Sequence, residues 1–289
     1  MGTAKAMGAI SVVNAIACGK GATVSVKLPT TAKVELKEGR GSWRVSLDGK
    51  KSTSGLALQT VRRAIKKIGR DPDRYSGSIQ TTTSTPIGVG LKTSSSSSVA
   101  IALATFSAFG MTSYKPRDIL ECSVSASLAA GVSVTGALDD AASSLLGGAN
   151  FADNSRRRIL SSAQLGRPLK VVIKVPKSES RRASVSVGAV RKFSKVAESI
   201  FRMGKDGNIW KAMTLNGLLY CSIYGYPSSD ALQALEAGAV GAGLSGTGPA
   251  VAAVFDGQGD VERLAKLWEE GGARVIRTRT SDGGATIGR

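Results

Sequence analysis

The segment from Pro86 to Ser98 carries residue types that suit the binding of a polyphosphate. Its glycine turn, Gly88-Val89-Gly90, leads into a run of serines, and an apolar, alanine-rich stretch follows from Val99 to Phe109. That order predicts a loop that enters the N-terminus of a buried helix, where unpaired amides and the helix dipole attract anions. Glycines let a bulky anion approach the backbone, and the hydroxyls suit phosphate oxygens or a metal ion. A flexible serine-rich linker is the alternative interpretation.

The chain contains 0 histidines and 3 cysteines, and both counts exclude classes of site. Without histidine, the common zinc sites and the serine–histidine and cysteine–histidine triads are excluded. Cys18, Cys122 and Cys221 are far apart, so they predict neither a disulfide framework nor a CxxC metal pair. Any acid–base chemistry must therefore use Asp, Glu, Lys, Tyr or Cys.

The formal net charge of +18 over 289 residues predicts a protein that attracts anions. Nucleic acid is one such partner, and a phosphorylated or carboxylated small molecule is another; a general contribution to solubility is the alternative. Only 5% of the residues are aromatic, which argues against a stacking platform for single strands. No apolar run reaches the ~18–20 residues that span a membrane, and residues 1–5 do not begin a signal peptide. We expect a cytoplasmic protein that binds neither nucleic acid nor membranes.

Hydrophobic periodicity predicts strands mixed with helices along the whole chain. The predicted strands are 23–28, 33–36, 43–47, 75–83, 169–176, 250–255 and 274–278. The predicted helices, besides the one after the serine run, are 56–68 with Ser54 as its cap, 116–130, 187–201, 209–223, 228–237 and 261–268. A change in composition near residues 148–156 predicts two α+β halves, 1–150 and 151–289.

Two common nucleotide-binding motifs are absent. A P-loop requires Gly-x-x-x-x-Gly-Lys-Ser/Thr, but around Gly19-Lys20 the first glycine is replaced by Asn14 and the hydroxyl residue by Gly21. The segment Gly241–Gly246 fits the spacing of a dinucleotide-binding fingerprint, but it precedes a predicted strand instead of following one.

Three motifs in order along the chain resemble those of the GHMP kinase superfamily, which includes galactokinase, homoserine kinase and mevalonate kinase. They are Pro86-x-x-x-Gly90-Leu91-x-Thr93-Ser94-Ser95, Gly136-Ala137-Leu138-Asp139-Asp140-Ala141, and Leu244-Ser245-Gly246-Thr247-Gly248-Pro249. Within the superfamily the sequence resembles the archaeal-type shikimate kinases. Three further segments carry this resemblance: Asn14–Gly21, Leu215–Tyr220 and Asp282–Ala285.

The resemblance implies an α+β GHMP kinase fold. The N-terminal half should resemble the second domain of ribosomal protein S5, the C-terminal half should be an α+β domain, and ATP and substrate should lie between them. The implied reaction is ATP-dependent phosphorylation of the 3-hydroxyl of shikimate, a step of chorismate and aromatic amino acid biosynthesis, assisted by Mg²⁺. Another GHMP small-molecule kinase, such as homoserine kinase, is the first alternative. A basic nucleic-acid-binding protein with a ribosomal-protein-like fold is the second, but it leaves the three motifs unexplained.

The resemblance also implies roles for individual residues. Asp139 matches the catalytic aspartate, which would take the proton of the acceptor hydroxyl; the alternative is that it caps a helix beginning near Ala141, a role for which Asp140 is better placed. The implied phosphate-binding residues are Gly88, Gly90, Leu91, Lys92, Thr93, Ser94 and Ser95, with Ser94 as the Mg²⁺ ligand.

Lys92 departs from the family pattern, since many relatives have a small residue there; it either neutralises a phosphate or lies solvated at the rim of the loop. The glutamate that many relatives use as a second Mg²⁺ ligand is missing, because Glu121 stands too far from Asp139 in the chain. The candidates for substrate binding come from the N-terminal signature, the third motif and the C-terminal strand. They are Asn14, Lys20, Ser245, Gly246, Thr247, Gly248, Arg277 and Arg279.

Overall fold

A computed structural model describes residues 1–53, 55–177, 185–257 and 259–288. The predicted Ser54 cap lies outside these residues. The strands are β1 (Gly2–Val13), β2 (Lys20–Glu38), β3 (Trp43–Leu47), β4 (Lys50–Lys51), β5 (Tyr75–Thr83), β6 (Ala149–Asp153), β7 (Arg158–Ala163), β8 (Lys170–Val175), β9 (Gly241–Leu244), β10 (Val251–Phe255), β11 (Arg274–Arg279) and β12 (Thr286–Ile287). The helices are α1 (Gly55–Lys67), α2 (Thr93–Ala108), α3 (Pro116–Ala129), α4 (Leu138–Leu146), α5 (Val187–Arg191), α6 (Ser194–Lys205), α7 (Ile209–Tyr224), α8 (Ser229–Glu236) and α9 (Val261–Glu270), with a 3₁₀ turn at Pro72–Arg74.

The first sheet has 8 strands in the order β12-β1-β2-β5-β3-β4, and β6 and β7 extend it from β2. Helices α2 and α4 pack on β1 and β2, helices α1 and α3 pack mainly on α2 and on each other, and apolar side chains of all four helices form a shared core with the sheet. Helix α2 is the central element of this layer, because nearly every residue from Ser95 to Phe106 is buried. Strands β7 and β12 follow residue 150 in the chain and also belong to this sheet. The predicted division of the chain at residue 150 stays a prediction.

Strand β2 is longer than the sequence predicts. Residues 23–28 and 33–36 belong to one strand, and its pairing with β1 shifts register between Val26 and Pro29. Proline lacks the amide hydrogen that a regular ladder needs, so it is accommodated at this irregularity. On one side of the shift β2 pairs with β6 and on the other with β5. The single bent strand therefore links two parts of the sheet.

The second sheet has 4 antiparallel strands in the order β11-β8-β10-β9. Its apolar face packs against β1 and β2 in one cluster, which includes Ile10 and Val24 from the first sheet and Ile173 and Val254 from the second. Helix α7 lies so close to β9 that a side chain on Gly217 would overlap the backbone at Gly243. The two sheets thus share a core, and the loops at the end of β1 and β9 meet there.

One predicted helix is wrong in its extent. Residues 187–201 form two helices, α5 and α6, separated at Lys192 and Phe193. The break lets α6 direct Ala197 and Phe201 into the protein interior while Val190 on α5 is buried separately. Among the helices that the structure describes, none has the length and apolarity needed to cross a bilayer.

Candidate active site

A cavity of about 500 Å³ lies where the loop before α2, the start of α4 and the turn after β9 meet. All of the phosphate-binding residues implied by the sequence line this cavity. From the other motifs the structure adds Asn14, Asp139, Asp140, Gly246 and Thr247 to the lining. Segments more than 200 residues apart in sequence therefore face one space.

The loop from Pro86 to Lys92 is shaped by its glycines and docked on the turn after β9. Gly88 and Gly90 have φ angles of 76° and 90°, in the left-handed region that favours glycine. A Cβ on Gly90 would overlap the carbonyl oxygen of Ser245, whose hydroxyl donates a hydrogen bond of 2.8 Å to the Gly90 carbonyl. Ser245 is fully buried behind the loop, so it supports the cavity from outside its surface.

The loop ends at the N-terminus of α2, as the sequence predicts. Ser95 and Ser96 donate the first backbone hydrogen bonds of the helix to the Lys92 carbonyl, so the amides of Thr93 and Ser94 precede the helical ladder. The Thr93 hydroxyl donates to the carbonyl of Pro86 at 2.9 Å and closes the loop. Ser94, by contrast, is exposed and lines the cavity. Its hydroxyl is available to a ligand.

Asp139 is buried in the cavity wall, 4% exposed. Asn154 donates a hydrogen bond of 3.0 Å from Nδ2 to its Oδ1. Burial, together with the neighbouring Asp140 carboxylate, raises the pKa of Asp139 to about 7, against the opposing effect of the Lys92 cation. A Cβ on Gly21 would overlap the Asp139 carboxylate, so glycine in β2 makes room for it.

Neither aspartate caps a helix, and that alternative is wrong. Helix α4 begins at Leu138, after Ala137 in a left-handed conformation with φ 53°. Its first amide is satisfied from another element, because the Oδ1 atom of Asn154 accepts a hydrogen bond of 2.6 Å from the Leu138 amide. One asparagine therefore orders the start of α4 and holds the Asp139 carboxylate.

Lys92 is not a solvated residue at the rim of the loop. Its side chain is 12% exposed and forms an ion pair with Oδ1 of Asp140, with an N···O distance of 3.2 Å. The lysine therefore lies inside the cavity and balances one of the two adjacent carboxylates.

Asn14 lines the cavity, and its hydrogen bonds connect the segments that form the cavity walls. Its Nδ2 donates to the Gly246 carbonyl at 2.9 Å, and its backbone amide donates to Oδ1 of Asn216 at the same distance. The hydroxyl of Tyr220 donates to the Asn14 carbonyl at 3.2 Å. Helix α7, from which both partners project, thus fixes the segment after β1 against the turn after β9.

The other predicted substrate-binding residues do not line this cavity. Gly248 is buried beneath Tyr226, and Lys20 forms an ion pair with Glu198 on α6. Arg277 and Arg279 lie on β11, the edge strand opposite β9; three strand spacings of ~4.8 Å place them roughly 14 Å across the sheet from it. Arg277 is also paired with Glu269 at 2.6 Å.

Comparison with known proteins identifies the family. The model of the GHMP kinases N terminal domain matches residues 56–148, and that of the GHMP kinases C terminal domain matches residues 203–273. The chain is 38% identical to the shikimate kinase of Methanothrix thermoacetophila over 100% of this chain and 96% of that protein. It is 36% identical to the shikimate kinase of Methanocella arvoryzae, over 98% and 94% of the two chains. The chain belongs to the shikimate kinases of the GHMP superfamily.

Solved structures of GHMP kinases share the fold. The mevalonate kinase of Methanococcus jannaschii superimposes with a TM-score of 0.73 at 14% identity, covering 96% of this chain and 98% of that one. A putative homoserine kinase from Listeria monocytogenes gives a TM-score of 0.66 at 16% identity, with 100% of both chains covered. The predicted α+β GHMP kinase fold is confirmed.

For this GHMP kinase, the sequence predicted the cavity residues that belong to the three motifs, but it did not predict Asn154. That residue follows β6, outside the three motifs, and its only signal in the sequence is that it stands between Asp153 and Ser155, residue types that favour turns. Across the described ranges, no group of three or more cysteine, aspartate or glutamate side chains could hold a metal ion.

Proposed function

We propose that this chain transfers the γ-phosphoryl group of ATP to the 3-hydroxyl of shikimate, giving shikimate 3-phosphate and ADP. The observation that carries the proposal is a buried carboxylate with a raised pKa, Asp139, in the same cavity as a phosphate-binding loop. Shikimate kinases related to this chain over their whole length support the choice of acceptor. The product belongs to chorismate and aromatic amino acid biosynthesis.

The phosphates of ATP would lie against the loop before α2. Gly88 and Gly90 bring the backbone within reach of the anion, and the amides of Thr93 and Ser94 donate at the positive end of the helix. Lys92 adds a full positive charge, already buried at the cavity. An adjoining apolar cleft of about 100 Å³, whose lining includes Val45, Leu47, Ile87 and Ile101, suits the edge of the purine ring.

Asp139 would act as the general base. A base is most effective when its pKa is near the working pH, and burial brings this carboxylate to about 7. The hydrogen bond from Asn154 fixes the carboxylate in the cavity, so the acceptor hydroxyl meets a base of defined orientation. As the bond to phosphorus forms, the hydroxyl proton passes to Asp139, while the loop amides and Lys92 stabilise the charge on the phosphate oxygens.

The residues present fit Mg²⁺ delivered with ATP. Mg²⁺ keeps several waters and binds through one or two protein groups plus the substrate phosphates. Ser94 offers an exposed hydroxyl beside the phosphate loop, and the Asp140 carboxylate, paired with Lys92 at 3.2 Å, also lines the cavity. When bound, the ion would neutralise charge on the transferred phosphoryl group. The expected cytoplasmic location and the absence of a nucleic-acid partner stay predictions.

The acceptor is tested by measuring ADP release from the purified chain with ATP, Mg²⁺ and a panel of shikimate, homoserine and mevalonate. We expect turnover with shikimate and only background ADP release with the other two or with no acceptor. Phosphorus NMR of the product should place the phosphate on the 3-hydroxyl. Turnover of homoserine or mevalonate without turnover of shikimate would refute the proposed acceptor.

A further inference from the structure

A second cavity of about 510 Å³ adjoins the first. The two share Ala15, Ile16, Val134 and Thr135 in their walls. Asn154 lines the second cavity and also donates the hydrogen bond to Asp139. A molecule in the second cavity would therefore contact the residue that holds the proposed base, on a side that the phosphate loop does not line.

Two arginines line this second cavity, Arg157 and Arg191. Within the described ranges, neither guanidinium forms an ion pair with a carboxylate of the protein. Three of the cations considered so far are paired within the described residues: Lys92 with Asp140, Lys20 with Glu198 and Arg277 with Glu269. The second cavity thus holds positive charge that the described part of the protein leaves unbalanced, beside a site for an anionic substrate.

The backbone at Arg157 is unusual, and its side chain is exposed at the cavity wall. Its φ angle is 51°, in the left-handed region that residues other than glycine rarely adopt. The turn that imposes it is fixed at both ends: the Asn154 amide donates to the Gly19 carbonyl at 2.8 Å, and the Arg157 amide to the Asn154 carbonyl at 3.3 Å. A side chain on Gly19 would overlap Ser155, so the turn packs directly on the segment after β1. Strain kept at a cavity wall is typical of functional positions.

We propose that Arg157 and Arg191 form the subsite that binds the carboxylate of the acceptor. This inference rests on the proposed function, because it assumes a carboxylated acceptor whose hydroxyl faces Asp139. A guanidinium presents paired N–H donors that match the two oxygens of a carboxylate. With the carboxylate on the arginines and the hydroxyl at Asp139, the acceptor spans the junction of the two cavities. Lys20, Arg277 and Arg279 then have no part in acceptor binding.

The test compares Arg157→Gln and Arg191→Gln with a matched control, Arg158→Gln. Arg158 is the next residue in the chain, is exposed on β7 and does not line either cavity. Hydrogen bonds to charged groups contribute about 1.5–3 kcal/mol, so each cavity variant should raise the KM for shikimate about 10- to 100-fold. The kcat and the KM for ATP should change less than about threefold, and the control should match the wild type.

A neutral carboxamide analogue of shikimate separates recognition of charge from a structural role. The wild type should prefer the acid over the amide in kcat/KM, and both cavity variants should lose most of that preference. Arg157→Lys, which keeps the charge, should retain part of it. Wild-type KM values in both glutamine variants, an equal loss for acid and amide, or a larger effect of Arg277→Gln or Arg279→Gln would overturn the proposal. A wild-type enzyme with no activity on shikimate would instead refute the proposed function, and this inference with it.

Discussion

Replacing Asp139 by asparagine should inactivate the enzyme and stabilise it. The substitution keeps the shape of the side chain, and its Oδ1 can still accept the hydrogen bond from Asn154. It removes the charge that burial and the neighbouring Asp140 oppose. Activity and stability should therefore move in opposite directions, which a residue with only a structural role would not do.

The expected stabilisation follows from the pKa. In the unfolded chain Asp139 has its ordinary pKa of 3.8, and in the folded protein it is about 7. Between these values the folded state binds more protons than the unfolded state, so the wild type loses stability as the pH rises through this window. At 1.36 kcal/mol per pH unit, the loss is about 4 kcal/mol at pH 8 and about 2 kcal/mol at pH 5. Asp139→Asn avoids this loss, and its gain should have the same pH dependence.

Urea denaturation of the wild type and of Asp139→Asn at pH 5 and pH 8 measures this difference. Turnover of shikimate should fall by about 10²- to 10⁴-fold in the variant, the usual contribution of a general base, with ATP binding largely retained. In the wild type, kcat/KM should fall as the pH drops below about 7, because protonation removes the base. A variant that is less stable than the wild type at pH 8 would refute the account of the buried carboxylate. Near-normal turnover would refute its role as base.

Two further substitutions test the cavity. Lys92→Met should destabilise the protein by about 3 kcal/mol or more in urea denaturation, because it leaves the Asp140 carboxylate buried without its cation. Adding Asp140→Asn to this variant should restore much of the lost stability. No recovery in the double variant would contradict the ion pair. Gly90→Ala should weaken ATP binding and stability far more than Gly88→Ala, since both glycines have positive φ but only a Cβ on Gly90 would overlap Ser245. Equal effects of the two alanines, measured by ATP titration and denaturation, would show that the docking of the loop on the turn is unimportant.

The sequence predicts local structure well wherever one face of an element is buried. Strands 43–47 and 75–83 are found as predicted, and helices α1, α3 and α7 differ from prediction by a residue or two. The sequence does not predict β1. Gly2–Val13 is rich in small residues, and residues 8–13 are all buried, so this part of the strand lacks the alternation of polar and apolar side chains that marks a half-buried strand. Strand β6 is missed because it is buried throughout but contains the polar Asn150 and Asp153, so it shows neither alternation nor the continuous apolar run of β10.

Some residues of the candidate site could be predicted from the sequence and others could not. The sequence predicts the loop before α2 and Asp139 because each belongs to a motif of consecutive residues. Such a motif can be identified without knowledge of the rest of the fold. Asn154, Arg157 and Arg191 have no motif, because they reach the cavities through a turn and a helix end whose positions depend on tertiary packing. Composition adds nothing for the arginines, since they are two of the 39 lysines and arginines in the chain. What distinguishes them is that both line the second cavity, beside the residue that holds Asp139.

The charges in the first cavity also affect whether Asp139, the proposed base, stays ionised when ATP is bound. Among the described residues that line this cavity, Asp139 and Asp140 face one lysine, so these three side chains carry a net negative charge whenever both carboxylates are ionised. An incoming polyphosphate adds more negative charge, which would raise the pKa of Asp139 further and keep it protonated. Cations that arrive with the nucleotide oppose this effect, and the Lys92 ammonium, shared between Asp140 and the phosphates, opposes it from the protein side. With the phosphates bound, these cations limit the rise in the pKa of Asp139, so the proposed base can still be ionised near neutral pH.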